Sequence, residues 1–148
     1  MAAWYNDVHA SKKFRLGTKK TATNNNEYIY LQGVAACVDG DWVTFDEDYV
    51  TIRAVADGQG QVAVANAAVD ATTEFGWFTI WGREDALCLA SFADNGKVYL
   101  TATAGSVDDA DVAGDFVVGA IGRSARDTTT GMAEFQLNHP QVQDTAFD

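Results

Sequence analysis

Short runs of β-branched, aromatic and alternating apolar residues recur along the chain at intervals of roughly ten to fifteen residues, each bounded by Gly, Asn or Asp. They predict strands over residues 14–18, 27–34, 42–45, 51–56, 62–66, 76–81, 86–90, 97–102, 116–120 and 133–137. Turn chemistry falls between them: Asp39-Gly40, Asp57-Gly58-Gln59-Gly60 and Asp94-Asn95-Gly96 supply residues that accept positive φ, the last as a hairpin signal. No segment keeps a 3.6-residue apolar period over eleven or more positions. Residues 63–71 are Ala-rich enough for one or two helical turns, and a short helix or irregular arm is expected before Lys13. Repeated strands without intervening helices predict an all-β fold, a single compact β-barrel or β-sandwich domain with an extended N-terminal arm, most strand pairs being antiparallel. The boundaries follow as a basic arm over 1–20, a body over 21–140 and a C-terminal tail over 141–148. The polar stretch 21–26 serves as the hinge, and the single proline, Pro140, lies at the end of the body.

Composition supports a packed core. A chain of 148 residues with 47% hydrophobic and 21% charged residues is ordinary globular material, and at this length folding buries roughly 70% of the unfolded surface. Charge changes the picture. The net charge is −11, yet residues 1–20 carry Lys12, Lys13, Arg15, Lys19 and Lys20 against one acid, Asp7, which leaves −15 on the rest. An acidic body repels nucleic acid and anionic membrane, so neither is expected as a partner; a basic arm suits an acidic surface on the body, on a neighbouring copy or on a host particle. No apolar run reaches the roughly 20 residues that span a bilayer, and the N-terminus lacks the pattern of a signal peptide, so synthesis in a cytoplasm is expected. Cys37 and Cys88 each sit in an apolar stretch and read as buried free thiols.

Chemistry-bearing motifs are sparse. His9 and His139 have no cysteine or carboxylate at metal-ligand spacing, no serine lies in a Gly-x-Ser-x-Gly elbow, and Gly58-Gln59-Gly60 lacks the Lys-Ser/Thr of a phosphate loop. Carboxylates gather in Asp39, Asp41, Asp46, Glu47 and Asp48 and again in Asp108, Asp109, Asp111 and Asp115. Such groups suit a calcium ion or a glycosidase pair, but neither matches a calcium-loop spacing, and acids in turns of an acidic chain are ordinarily solvated. The reading is no catalytic residue, no metal and no cofactor. In Phe75-Gly76-Trp77-Phe78-Thr79-Ile80-Trp81, period-two alternation places Trp77, Thr79 and Trp81 on one face and Phe78 and Ile80 on the other. Both faces are apolar, as in a doubly buried strand; a Trp platform for stacking sugar rings is the rival.

The succession Leu16-Gly17-Thr18, Glu27-Tyr28-Ile29-Tyr30, Val62-Ala63-Val64-Ala65, Gly76-Trp77 to Gly82, a Gly96 turn, Val117 to Gly122 and Leu137-Asn138-His139-Pro140 resembles the capsid decoration or cement proteins of tailed bacteriophages. The resemblance covers residues 16–140 and lies in the order and spacing of the blocks. It implies a β-rich, non-enzymatic subunit, often a homotrimer, that sits on the outer surface of the virion's expanded head, binds the major capsid protein between capsomers and clamps them. Under that reading the contact residues are the aromatic anchors Trp4, Tyr5, Tyr28, Tyr30, Trp77 and Trp81 and the arm's Lys12, Lys13, Arg15, Lys19 and Lys20. The alternative is a carbohydrate-binding or fibre-type β domain. A hydrolase built on the acidic groups ranks last.

Overall fold

The computed structural model describes residues 3–142. After a single 3₁₀ turn at Trp4–Asn6, the chain forms β1 (Val8–His9), β2 (Lys19–Thr21), β3 (Glu27–Gln32), β4 (Trp42–Phe45), β5 (Thr51–Arg53), β6 (Gly60–Ala65), β7 (Phe75–Leu87), β8 (Lys97–Leu100), β9 (Val107–Asp108), β10 (Phe116–Gly122) and β11 (Met132–Val142). The fold is nearly all β, and the named strands pair antiparallel throughout.

The centre of the molecule is the β4–β6 pair, in register from Trp42 opposite Val64 to Phe45 opposite Gln61. One face, through Trp42, Val62 and Val64, packs with Val98, Leu100, Val117, Phe135 and Leu137. The other, through Val43, Phe45, Ala63 and Ala65, packs with Ile29, Leu31, Phe78 and Ile80. Two buried faces explain why the VAVA run of β6 has no polar positions to alternate with. Within the first cluster the Trp42 ring meets Phe135 edge-on at 4.9 Å, and its indole N–H donates to the Leu87 carbonyl at 3.0 Å, so a large buried ring is also polar-satisfied.

Two long strands wrap this wall. The first half of β7 pairs with β3 and with the end of β6, Val64 opposite Thr79, while its second half pairs with β11 from Trp81–Asn138 to Leu87–Met132. The end of β11 returns to the start of β6, Gln141 opposite Gln61. Strands β6, β7 and β11 thus close a circuit by changing partners at bends, the device by which one sheet turns a corner. Gly82 makes the bend in β7: its φ is +111° and a Cβ there would run into the Asn26 side chain. In β10 a register shift between Val118 and Ala120 leaves Gly119 at φ +88°. Opposite it, Pro140 occupies the interrupted stretch of β11, where its missing N–H forfeits no ladder bond.

Several expectations are corrected. Residues 14–18 form no strand; β2 starts at Lys19, and β1 and β9 are additional short strands. The Ala-rich 63–71 segment is not helical, because Ala63 and Ala65 complete β6 and the chain then runs irregularly. The segments 76–81 and 86–90 are one strand, since Gly82 bends the chain without ending its pairing. Asp94-Asn95-Gly96 does turn, with Asn95 at φ +63°, but β8 pairs with β9 and β10, not back onto β7. Gln141 and Val142, assigned to the tail, belong to β11; 143–148 lie outside the described residues.

Beside the central wall, Asp41 has a fully buried side chain and holds Arg53 in a fork, Nε to Oδ2 at 2.7 Å and Nη2 to Oδ1 at 3.1 Å, while the Val38 N–H donates to Oδ2 at 3.2 Å. Removing one partner of such a pair strands the other. Asp41→Ala is therefore expected to lower the unfolding free energy by about 3 kcal/mol, whereas Ile52→Ala, at a side chain 64% exposed, is expected to stay within about 0.5 kcal/mol. Urea denaturation of both variants checks the contrast.

Candidate functional site

The basic arm does not project. From residue 3 onward it lies across the outer face of β3 and β7, where alternation directs Tyr28, Tyr30 and Trp77 away from the second core cluster. Trp4 meets Trp77 and Tyr28 edge-on at 5.0 and 5.4 Å, Tyr5 stacks on Tyr28 at 4.6 Å, and Phe14 reaches Trp77 at 5.2 Å and Tyr30 at 5.4 Å. Polar contacts fix the layer. The Tyr30 hydroxyl meets His9 Nδ1 at 2.8 Å and accepts the Lys13 N–H at 3.2 Å, and β1 adds a two-residue pairing to the edge of β7 at Gly76 and Phe75. The Lys20 ammonium lies 4.4 Å from the centre of the Trp4 ring, with the Phe14 and Trp77 rings at 5.3 and 5.6 Å, a cation–π clamp across the layer.

This arrangement divides the sequence-predicted contact residues. Tyr28, Tyr30 and Trp77 are buried beneath the arm and present no surface while it is in place. Trp4 and Tyr5 are half-buried in the layer itself. Trp81, on the far side of the register shift in the β3–β7 pairing, is 41% exposed. No shared Trp77–Trp81 platform exists, because Trp4 and Phe14 lie against Trp77. Lys12, Lys13, Arg15, Lys19 and Lys20 are exposed, and among the described residues none of the five forms an ion pair; the pairs found are Arg53–Asp41, Arg83–Glu134, Arg123–Glu134 and His139–Glu27. Lys12, Phe14, Arg15 and Leu16 face Glu47, Asp48 and Tyr49 across an open groove of about 400 Å³.

The acidic groups dissolve into turn caps. Asp46 Oδ1 accepts the N–H groups of Asp48 and Val50, Asp109 accepts that of Ala93, and buried Asp115 accepts that of Asp57 at 2.7 Å. Among the described residues no three His, Cys, Asp or Glu side chains converge as metal ligands. Both cysteines are buried and free, and burial pushes their thiols up, Cys37 to about 12 and Cys88 to about 11, which keeps them un-ionised and unreactive near neutrality.

Two features escaped the sequence reading. On β10 the side chains of Phe116, Val118 and Ile121 stand outward, 41–45% exposed; Gly119 absorbs the extra residue that keeps Ile121 on the same face as Val118. The flanking partners are Tyr99 and Lys97 on β8 and Gln136 and Gln141 on β11. The second is a polar cleft of about 280 Å³ lined by Tyr5, Asn24, Asn26, Tyr28, Asp39, Asn66, Arg83 and Glu84. Its floor contains buried Thr79, whose Oγ1 lies 2.9 Å from Asn66 Oδ1 and 2.7 Å from Glu84 Oε2. Burial raises the Glu84 carboxyl to about 7, against the lowering effect of its contact with Thr79.

These features define an all-β domain with a self-packed aromatic–basic layer, an exposed apolar row and an internally bonded polar cleft. No family model, curated protein or solved structure matches the chain. Among the described residues no helix is long and apolar enough to cross a membrane.

The layer's packing makes a prediction. Trp4→Ala removes the ring that lies against Trp77, and is expected to shift tryptophan emission to the red and to lower stability by about 2 kcal/mol, less than a fully buried Trp because Trp4 is half-exposed. Lys20→Met, which keeps the stem and discards the charge, is expected to weaken the layer without unfolding the body. Amide exchange at Val8 and His9 reads both effects.

Proposed function

We propose that the protein is a structural, non-enzymatic virion component that attaches to the outer surface of a phage head, as decoration or cement proteins do, and stabilises the shell by bridging capsid subunits. The observation that carries this reading is a set of five exposed cations, held by an ordered aromatic layer and without an ion pair among the described residues, in a chain that is otherwise strongly acidic. Packing of Trp4, Tyr5 and Phe14 restricts the backbone that bears these charges, so little ordering entropy remains to be lost on attachment. With Lys20 engaged in the layer, the charges of Lys12, Lys13, Arg15 and Lys19 suit an acidic shell, and their contribution falls with salt because exposed charges are screened over about 8 Å at physiological ionic strength.

The row on β10 suits the other contact that the reading requires, between copies of the chain. Self-association of so acidic a body needs an apolar face, and Phe116, Val118 and Ile121, bordered by Lys97, Tyr99, Gln136 and Gln141 with Asp108 beyond Tyr99, provide one. A homotrimer closed around such a row would present three copies of the cationic layer, and multiple weak contacts then add as avidity. The residues assigned to shell contact are Lys12, Lys13, Arg15, Lys19 and Trp81; those assigned to contact between copies are Phe116, Val118 and Ile121.

Co-sedimentation with expanded phage heads is the test. The wild-type chain is expected to pellet with heads at low salt, to raise their resistance to heat, and to bind at least tenfold more weakly when Lys12, Lys13 and Arg15 are all changed to Glu. Phe116→Glu is expected to abolish self-association seen by light scattering while leaving the folded monomer intact. A wild-type protein that remains in the supernatant at every salt concentration, and adds nothing to heat resistance, sinks the proposal.

A further inference from the structure

The hydrogen bonds beneath the polar cleft contain one proton too few unless a carboxyl supplies it. The Asn66 amide is fixed in orientation because its Nδ2 donates to the Trp77 carbonyl at 3.1 Å, so the group facing Thr79 is the acceptor Oδ1. Thr79, fully buried, has a single hydroxyl hydrogen, yet its Oγ1 lies at hydrogen-bond distance from both Asn66 Oδ1 and Glu84 Oε2. With an ionised Glu84 two acceptors compete for one hydrogen, and one buried contact becomes a lone-pair repulsion. With a protonated Glu84 the chain closes: Glu84 O–H donates to Thr79 Oγ1, Thr79 O–H donates to Asn66 Oδ1, and Asn66 donates to Trp77.

The surroundings favour the neutral acid. From the loop before β4, Asp39 lines the same cleft; from β7 itself, Asp85 follows Glu84, and both add negative charge near the carboxyl, although the Asp85 N–H donates to it and pulls the other way, and burial outweighs that pull. From β3 and the N-terminal turn come Tyr28 and Tyr5; burial raises the Tyr28 phenol, and its hydroxyl accepts a hydrogen bond from Asn24 at 2.9 Å. The one cation in the lining, Arg83, is drawn away by Glu134 of β11, with Nη2 to Oε1 at 2.9 Å. Asn26 cannot help, since its side chain is spent on the backbone of Arg83, donating to the carbonyl at 2.7 Å and accepting the N–H at 3.1 Å.

We propose that Glu84 is a proton-operated latch: protonated, it completes the Glu84–Thr79–Asn66 relay that ties the bend of β7 to the end of β6; ionised, it breaks the relay and loosens the aromatic layer stacked beside the cleft. The inference does not rest on the shell-binding reading. The layer is coupled through Tyr5, which lines the cleft and stacks on Tyr28, and through Trp77, whose carbonyl ends the relay and whose ring lies against Trp4. The sign follows from linkage. An unfolded Glu loses its proton near its ordinary value of 4.5 and the folded one near 7, so the folded state binds more protons between these values. The stabilisation is complete below about pH 4.5, declines as pH rises, and is gone once the folded carboxyl has ionised.

Three measurements decide it. In wild-type protein labelled with 13C at the glutamate side-chain carboxyl, one of the five glutamate resonances is expected to titrate near neutrality, and Glu84→Gln identifies that one by its loss. In the second, Tm is followed against pH for wild type, Glu84→Gln and Thr79→Val. Glu84→Gln keeps a donor toward Thr79 at every pH, so it is expected to match wild type near pH 5 and to exceed it at pH 8, where the folded-to-unfolded ratio differs on the order of 100-fold. Thr79→Val removes the middle of the relay and is expected to erase that advantage when combined with Glu84→Gln. Tryptophan emission of wild type is expected to shift between pH 6 and pH 8, and that of Glu84→Gln to stay constant. Five glutamate resonances all titrating in the ordinary range overturn the proposal whether or not either variant folds, and so does a wild-type emission spectrum unchanged across the transition of Glu84.

Discussion

The structure depends on one constraint: the β4–β6 pair is buried on both faces. A strand in that position cannot use polar residues to mark a side, so specificity of register must come from size. Here Val62 and Val64 face the larger cluster that contains Trp42 and Phe135, while the smaller Ala63 and Ala65 face a cluster already filled by Phe45, Phe78 and Ile80. A slip by one residue would force valines into the second cluster and leave voids in the first, and both errors are costly in an interior packed to crystal density. Once that wall is fixed, β7 and β11 have to bend to cover both its sides, which makes Gly82 and the Gly119–Pro140 irregularity requirements of the architecture.

A wall with two covered faces also generates a third surface. The β3–β7 layer that closes the second cluster shows its own back to solvent, and that back carries Tyr28, Tyr30 and Trp77. Leaving three large aromatics bare would create an adhesive patch. The N-terminal segment covers them with Trp4, Tyr5, Phe14 and Leu16, and because it meets the face largely through side chains, with only two residues paired in β1, it is held by ring contacts and by Lys20. The same contacts leave its cations outermost. Covering an apolar face and displaying charge are therefore consequences of one packing event.

The architecture class was legible because turn residues and short apolar runs report local geometry: β4 coincides with its predicted span of 42–45, and β3 and β8 begin where expected. What was not legible involved partners far away in the chain. Gly82-Arg83-Glu84-Asp85 falls in the gap between the predicted strands 76–81 and 86–90, yet Asn26 and β11 support it as continuing strand. The aromatic anchors were recognisable as residue types, but their exposure was not, since alternation cannot reveal that a segment over fifty residues earlier lies on top of Trp77. The β10 row and the Thr79 relay gave no sequence signal at all: three apolar residues around a glycine resemble any strand, and a lone Thr or Glu is ordinarily solvated.

Placement, not number, determines what the acids of this chain do. Asp46, Asp109 and Asp115 each accept backbone N–H groups that their turns leave unpaired. Asp41 faces the Arg53 guanidinium. Glu84 differs in kind. Its side-chain partner is a hydroxyl whose only hydrogen is already matched to an amide oxygen, and its charged neighbours Asp39 and Asp85 are of like sign. Glu84 therefore responds to pH through the burial of its own carboxyl, and its site loosens as pH rises through a value near 7.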